Sequence, residues 1–154
     1  MRTILLLLVL AGTGVGQTPG TWKMNPAKSK HDDQAPFPRS LVIRYEAHLE
    51  GEMVTIWRVT QSGRSETDSY ILRYDGKDYP HPRTERFDFF SARKLNDGAA
   101  EVLFKKNGKV VGRQVRKLSG HGKQLTVEYQ LISRTGERLS RILVLEKQNN
   151  GETN

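Results

Sequence analysis

Apolar and polar residues alternate along most of this chain, and that pattern constrains its fold more than any other feature. Leu41, Ile43 and Tyr45 alternate with mostly polar neighbours, and the same period of two recurs in residues 123–133 and 137–147. A period of two puts apolar side chains on one face of a β-strand, whereas an amphipathic helix needs a period of 3.6. No stretch carries a helical stripe, so the sequence predicts an all-β protein.

Turn-forming residues separate the alternating stretches at short, regular intervals. They are Glu50-Gly51, Ser62-Gly63, Asp75-Gly76, Asn96-Asp97-Gly98, Asn107-Gly108, Ser119-Gly120-His121-Gly122 and Thr135-Gly136. Asn-Gly and Asp-Gly suit the tight turns that join antiparallel strands. The pattern therefore predicts an antiparallel meander, which closes into a barrel or folds into a sandwich to remove its edges.

The first sixteen residues have the layout of a secretory signal peptide. Arg2 precedes an apolar run over residues 4–11, and small residues that include Gly14 and Gly16 follow it. The run is far shorter than the ~20 residues that span a bilayer. We predict cleavage after Gly16, just before Gln17, and a periplasmic or secreted product that is not an integral membrane protein.

The rest of the chain has the size of one domain. Residues 17–148 form the predicted domain, and residues 149–154 form a flexible tail. Residues 25–39 hold three of the six prolines and have no period, which predicts an ordered loop or lid. The sequence contains no cysteine, so disulfides and thiolate metal sites are excluded.

Positive charge is concentrated in one part of the chain. Residues 104–141, called here the basic run, contain ten Lys and Arg but only two acids, whereas residues 17–103 are balanced. Consecutive hairpin strands are neighbours in space, so these cations form either a solvated face or a site for anionic envelope components. Tyr129 is the only aromatic residue after Phe104, which leaves no stacking platform for a nucleic acid partner.

Motifs for catalysis or metal binding are absent from the sequence. His31, His48, His81 and His121 are 17, 33 and 40 residues apart, which is not a close ligand spacing. No Gly-x-Ser-x-Gly nucleophile motif occurs. We predict no catalytic residue, no metal and no cofactor, and a small enzyme built on a barrel stays open as a third alternative.

The start of the mature chain resembles a family of small secreted bacterial proteins that has no established activity. The resemblance lies in Gly20-Thr21-Trp22-Lys23-Met24-Asn25 and Ala27-Lys28-Ser29-Lys30. Further matching stretches are residues 74–80, 109–111 and 146–148. This resemblance implies a secreted protein and adds little about function.

A second, more distant resemblance is to lipocalins and fatty-acid-binding proteins, the calycins. Gly20-Thr21-Trp22 looks like their Gly-x-Trp first strand, which implies a lipocalin-like barrel of about eight to ten strands. It also implies that Arg141 packs on Trp22 and closes one end by cation–π attraction. Fatty-acid-binding proteins carry an Arg-x-Tyr carboxylate clamp in the last strand; Leu143 and Leu145 stand there instead, so the clamp is not reproduced.

The leading hypothesis is a non-enzymatic protein that binds a small apolar or amphipathic ligand. The residues expected to contact its apolar part are Tyr45, Trp57, Phe87, Phe89 and Tyr129. Arg113 or Arg141 would meet an acidic head group. The alternative is a protein with a filled core that binds anionic envelope components through the basic run.

Overall fold

The structure is a computed structural model that describes residues 18–32, 37–81, 86–119, 121–133 and 135–149. The predicted signal peptide, Arg134 and all of the predicted tail except Asn149 lie outside these residues. The described part contains eleven strands: Gly20–Met24 (β1), Lys30–His31 (β2), Ser40–His48 (β3), Gly51–Val59 (β4), Ser65–Leu72 (β5), Tyr79–Pro80 (β6), Phe89–Asn96 (β7), Ala99–Lys106 (β8), Lys109–Leu118 (β9), Gln124–Ile132 (β10) and Arg138–Lys147 (β11).

All the strands belong to one antiparallel sheet. Its order is β5-β4-β3-β1-β11-β10-β9-β8-β7-β6. The short strand β2 lies off this path and pairs with β11. β1 bridges the start and the end of the chain, because Trp22 is the Cα partner of both Ile43 on β3 and Lys147 on β11. Strands that follow one another in the chain lie side by side, as the alternating pattern predicts.

Tight turns hold the hairpins in register. At the β8–β9 turn, Asn107 and Gly108 have φ values of 49° and 74°. Positive φ at both central positions is what a two-residue turn between twisted strands requires, and Asn-Gly supplies it with little strain. The turn residues read from the sequence therefore mark the ends of these strands.

Among the described residues, no pairing between strands closes one seam of the barrel, where a bridge joins Asp75, after β5, to Arg93 on β7. The seam separates β5, at one end of the sheet order, from β7 and β6 at the other end. β6 has only two residues, and its Pro80 has no backbone N–H to donate. Side chains span the seam instead: the Tyr70 and Phe90 ring centroids are 5.5 Å apart.

The apolar faces of the strands pack together inside the barrel. The core residues are Trp22, Met24, Leu41, Ile43, Tyr45, Val54, Leu72, Phe90, Ala92, Val102, Phe104, Leu125, Val127, Leu143 and Leu145. The end of the barrel that contains Trp22 is called here the closed end. The opposite end, which contains the β8–β9 and β10–β11 turns, is called the mouth.

The segment after β1 lies along β11. The Ser29 hydroxyl accepts a hydrogen bond from the Val144 N–H at 3.0 Å, and the Asp32 carboxylate accepts one from the Ser140 N–H at 2.6 Å. Phe37 then stacks on His31 at 4.2 Å between ring centroids. These contacts fix the described part of the segment against the outside and mouth of the barrel.

The predicted fold class is confirmed: the chain is an all-β antiparallel meander that curls into a barrel. The strand number is slightly higher than predicted because β2 and β6, with two residues each, lie in stretches without alternation. No helix in the described ranges is long and apolar enough to cross a membrane.

Candidate ligand-binding interior

An aromatic cluster occupies the mouth half of the interior, next to the seam. It consists of Tyr70, His81, Phe87, Phe90 and Phe104. The His81 ring is 4.7 Å from that of Phe87 and 5.4 Å from that of Tyr70, and the Phe87 ring is 4.6 Å from that of Phe104. These rings form a continuous apolar wall with an imidazole at its centre.

His81 is the one polar side chain in this wall with a nitrogen that lacks a partner among the described residues. Its Nδ1 atom is buried and makes no hydrogen bond there. Burial lowers the pKa of His81, and the Arg58 charge lowers it further, while Asp68 opposes the change. The imidazole is therefore neutral near pH 7 and can donate or accept one hydrogen bond.

A cleft of about 340 Å³ opens along the seam beside this cluster. Its lining residues are Met53, Ser69, Tyr70, Ile71, Arg73, Tyr79, Pro80 and Phe90. Tyr70 and Phe90 line the cleft and also belong to the aromatic cluster, so their rings stand between the two. The volume lies at the lower end of the range, roughly 300–1,000 Å³, that small-molecule sites occupy.

A cation and a phenol stand on the inner face of β10 and β11. Tyr129 and Arg141 are Cα partners, and the Arg141 guanidinium carbon lies 4.2 Å from the Tyr129 ring centroid. Burial raises the pKa of Tyr70, and the nearby Tyr129 and Tyr45 raise it further. The three phenols therefore face the same interior space.

The closed end is completed by a buried polar network that crosses the barrel. Arg116 Nη2 on β9 donates to Glu52 Oε2 on β4 at 2.8 Å, and the side chains are 3% and 0% exposed. Tyr74 donates to the same carboxylate oxygen at 2.5 Å and also contacts Arg116. Thr18 donates to Glu52 Oε1 through its backbone N–H and its hydroxyl, both at 3.3 Å.

The network keeps its charges despite the burial. Burial alone lowers the pKa of Arg116, but Tyr45, Tyr74 and Glu52 more than offset this, so the pKa is raised and the guanidinium stays charged. Arg116 also lies over the Tyr45 ring, 4.3 Å from its centroid. This arrangement joins β4 to β9 where the sheet has no backbone pairing to do so.

Four of the predicted ligand contacts face inward. Tyr45 is 2% exposed and lies under the Arg116 guanidinium, in the same cross-strand row as Val54 and Tyr70. Phe87, Tyr129 and Arg141 lie in the mouth half. All four therefore face the same interior, and Phe87 belongs to the aromatic cluster itself.

Three other predicted contacts are corrected, because they lie on the outer face. Trp57 and Phe89 are 40% and 41% exposed, and Arg113 pairs on the outside with Glu101 at 2.6 Å. Each is one residue from an inward position, and a shift of one residue in a strand reverses the face. In the last two cases the inward neighbours are Phe90 and Gln114.

The predicted closure of the barrel by Trp22 and Arg141 is wrong. Lys147 Nζ is the cation over the Trp22 ring, at 5.6 Å from its centroid, whereas Arg141 stacks on Tyr129. Trp22 pairs with Lys147 in the sheet, so Arg141 is six residues farther along β11. At about 3.3 Å per residue that distance is too long for any contact.

Sequence reasoning missed Glu52, Tyr70, His81 and Arg116. Glu52 is two residues from the buried Val54 on β4, and Tyr70 on β5 is the Cα partner of Val54, so both face the same way as Val54. Arg116 is the Cα partner of the buried Val127. Parity could therefore have placed these residues inside the barrel. No local signal places His81, which follows β6 and is positioned by the rings around it.

The basic run does not form one free cationic face. Lys105, Lys106, Arg113 and Arg116 pair with Asp78, Asp88, Glu101 and Glu52, and Lys117 pairs with Glu128. Four of these five acids come from the balanced first half of the chain. Antiparallel pairing thus brings acids and cations together that are far apart in sequence.

Two solved structures are similar to this chain over nearly its whole length. The zebrafish ileal bile acid-binding protein, crystallised with cholic acid, has a TM-score of 0.53 and 14% identity; the match covers 86% of this chain and all of that one. As-p18, an extracellular fatty acid-binding protein, has a TM-score of 0.51 and 10% identity, covering 88% and 99%. At these identities the likeness establishes the fold alone.

No family model and no curated protein matches this chain. The resemblance to fatty-acid-binding proteins is confirmed at the level of the fold, and the resemblance to a small secreted bacterial family stays a prediction.

Proposed function

We propose that this protein is exported and binds one small amphipathic molecule, without chemical conversion, in the mouth half of its barrel. The apolar part of the ligand lies against the aromatic cluster and enters from the seam cleft. Its polar or acidic head group meets Arg141 and Tyr129. The ligand class is that of small carboxylic acids with a rigid or branched apolar body.

The position of Tyr70 and Phe90 between the cleft and the aromatic cluster carries this proposal. Tyr70 and Phe90 line the cleft on one side and pack in the cluster on the other. The buried Nδ1 atom of His81 gives this apolar wall one polar group that a ligand can satisfy. An apolar cavity with a few convergent polar groups is the usual form of a small-molecule site.

The packing of β11 favours a ligand near the mouth over one buried at the closed end. Leu143 and Leu145 are 1% and 0% exposed and fill the space where the Arg-x-Tyr clamp would stand. The structural relatives carry the names of bile acid- and fatty acid-binding proteins, which supports the broad ligand class. A shorter or bulkier acid than an extended fatty acid suits the remaining space.

The first test is to express the chain with its own leader and to identify what is bound to it. Native mass spectrometry of the purified protein should give a mass above that of the chain, and an organic extract should contain the same small molecule in stoichiometric amount. A clean mass, an empty extract and no saturable binding of a bile acid or fatty acid panel would refute the proposal.

A pair of variants on β11 tests the head-group assignment. Arg141→Leu should weaken binding of an acidic ligand at least tenfold while leaving an uncharged analogue unaffected. Arg138→Leu, three residues away and exposed, is the matched control and should change neither affinity. If the unmodified protein, Arg141→Leu and Arg138→Leu bind the acid with equal affinity, the acidic head group does not meet Arg141.

The alternative, surface binding through the whole basic run, has less support. Half of its ten cations form ion pairs with acids in the described residues. Exposed paired charges attract a distant anion weakly and are screened further by salt.

A further inference from the structure

Exposed apolar side chains gather on the outer surface at the mouth. Phe89, Val110 and Ile132 are 41%, 48% and 50% exposed. Phe89 and Val110 flank Lys105 as its Cα partners on β7 and β9, and Ile132 stands at the end of the neighbouring strand β10. Three large apolar residues near the ends of β7, β9 and β10 thus share one outer surface around Lys105, and exposed apolar patches mark interaction sites.

A β-bulge creates part of this patch. Phe104 pairs with Gly112, but Lys105 pairs with Val110, so Val111 is an extra residue on β9. The extra residue moves Val110 onto the face that Lys105 and Phe89 share. Without the bulge, strict alternation would turn Val110 toward the mouth of the interior.

Two cations without an acidic partner among the described residues stand beside the patch. Lys109 opens β9 and Arg138 opens β11, where it is the Cα partner of Ile132. The other nearby cations, Lys105 and Lys106, pair with Asp78 and Asp88. Glu137 is the remaining exposed acid at these turns. Phe89, Val110, Ile132, Lys109 and Arg138 are called here the mouth rim.

We propose that the mouth rim docks the protein on an anionic lipid surface. The rim consists of protruding strand ends and turns, which fit a deformable bilayer interface and would need a recessed surface on a protein partner. A specific protein interface also buries about 1,000 Å² or more in total, far above what three side chains supply. Apolar residues beside unpaired Lys and Arg are what shallow insertion among acidic head groups requires.

Docking in this orientation places the interior next to the bilayer. β9 runs from Lys109 at the mouth to Leu118 at the closed end, so the buried Glu52–Arg116 network faces away from the membrane. The docking surface stands on the rim residues alone and does not depend on a ligand in the interior.

The test measures cosedimentation of the mature protein with two kinds of vesicle. One kind is phosphatidylcholine alone, and the other contains roughly 30% phosphatidylglycerol as the acidic lipid. We expect binding to the acidic vesicles only, with at least a tenfold loss as NaCl rises from about 0.1 to about 0.5 M, where the Debye length falls below about 5 Å. Equal binding to both kinds, or to neither, overturns the proposal.

Matched variants separate the rim from general stickiness and general charge. Val110→Ser/Ile132→Ser and Lys109→Glu/Arg138→Glu should each reduce vesicle binding at least tenfold. The controls lie at the closed end: Leu49→Ser/Leu95→Ser removes two exposed apolar residues, and Lys94→Glu/Lys123→Glu removes two exposed cations. Equal losses in the control and rim variants would contradict docking through the rim.

Fluorescence reports insertion directly. In a Trp57→Phe background, emission of a Val110→Trp variant should shift to the blue on acidic vesicles, and that of Leu49→Trp should not. All these positions are on the surface, so the unfolding midpoints should stay near that of the unmodified chain. If the protein binds vesicles but no ligand, docking through the rim stands and the proposed pocket fails. If it binds ligand but no vesicles, the proposed pocket stands and docking through the rim fails.

Discussion

A single buried ion pair at the closed end connects two strands that the sheet leaves apart. Glu52 and Arg116 are 64 residues apart in the chain and bond at 2.8 Å. Glu52 is satisfied by Thr18, Tyr74 and Arg116 together, which is why a carboxylate can lie in a position with no solvent contact. Buried charges of this kind are costly to leave without a partner.

Removing one partner of this pair should destabilise the barrel strongly. Arg116→Met leaves the Glu52 carboxylate buried without its counter-ion and should lower the free energy of unfolding by about 3–5 kcal/mol. The double variant Glu52→Met/Arg116→Met removes both charges and should recover much of that loss. Urea unfolding of the unmodified chain, the single variants Arg116→Met and Glu52→Met, and the double variant measures the coupling; additive losses would contradict it.

His81 gives the stability of the barrel a pH dependence. Because burial lowers its folded pKa, the unfolded chain takes up the proton first as pH falls below the ordinary histidine pKa of about 6.5. The free energy of unfolding should therefore decrease from pH 7.5 to 5.5. His81→Phe should flatten this slope, and His121→Phe, in an exposed turn, should not. Identical slopes in all three proteins would refute the assignment.

At the scale of elements, the first residue of β4 must be a glycine because it lies against the backbone at the end of β5. Gly51 has a φ of 151°, and a Cβ atom there would lie 2.1 Å from the backbone oxygen of Leu72. Leu72 closes β5 on the neighbouring strand, so the two backbones approach each other directly at this point. Only a residue without a side chain fits between them.

Gly51→Ala should therefore cost much more than other glycine substitutions. We expect a loss of about 3 kcal/mol or more in unfolding free energy, because a backbone clash adds to the strain of positive φ. Gly136→Ala is the control: its φ is 85° and no atom lies within 4 Å of the added Cβ, so about 1–2 kcal/mol is expected. Chemical denaturation measures both, and equal losses would exclude the clash.

The seam is also a property of elements. The alternation that predicts long strands stops at residues 73–88, which contain Asp75-Gly76-Lys77-Asp78 and two prolines, and the described part of this stretch holds only the two-residue strand β6. Arg73, just after β5, reaches across the seam: its guanidinium carbon lies 4.5 Å from the centroid of the Tyr79 ring on β6. Arg73 also pairs with Glu50 at 2.9 Å. A short edge strand with proline avoids further backbone pairing and leaves the cleft accessible from the side.

At the scale of the whole molecule, the described part of the chain begins beside the closed end. Thr18 is 2% exposed, donates to Glu52 and accepts from Trp22 Nε1 at 3.0 Å. The predicted cleavage before Gln17 would keep these contacts in the exported protein. Intact-mass measurement of the exported protein should give a chain that starts at Gln17; a retained leader, or a start beyond Thr18, would refute the predicted cleavage.

The sequence by itself determined the elements and their order. Period-two alternation and Gly-containing turns depend on neighbouring residues only, so strands, hairpins and an antiparallel meander follow from local pattern. Tyr129 and Arg141 could be placed inside the barrel for the same reason, and the fold resemblance at Gly20-Thr21-Trp22 indicated the barrel.

Tertiary structure alone decided which side chains point into the barrel and which residues far apart in sequence come into contact. Trp57, Phe89 and Arg113 were assigned to the wrong face because one residue of parity reverses a side chain, and the bulge at Val111 changes parity within a strand. The pairing of Glu52 with Arg116, and of the basic run with acids from the first half, depends on how the sheet curls. These contacts join residues tens of positions apart, which no local pattern encodes.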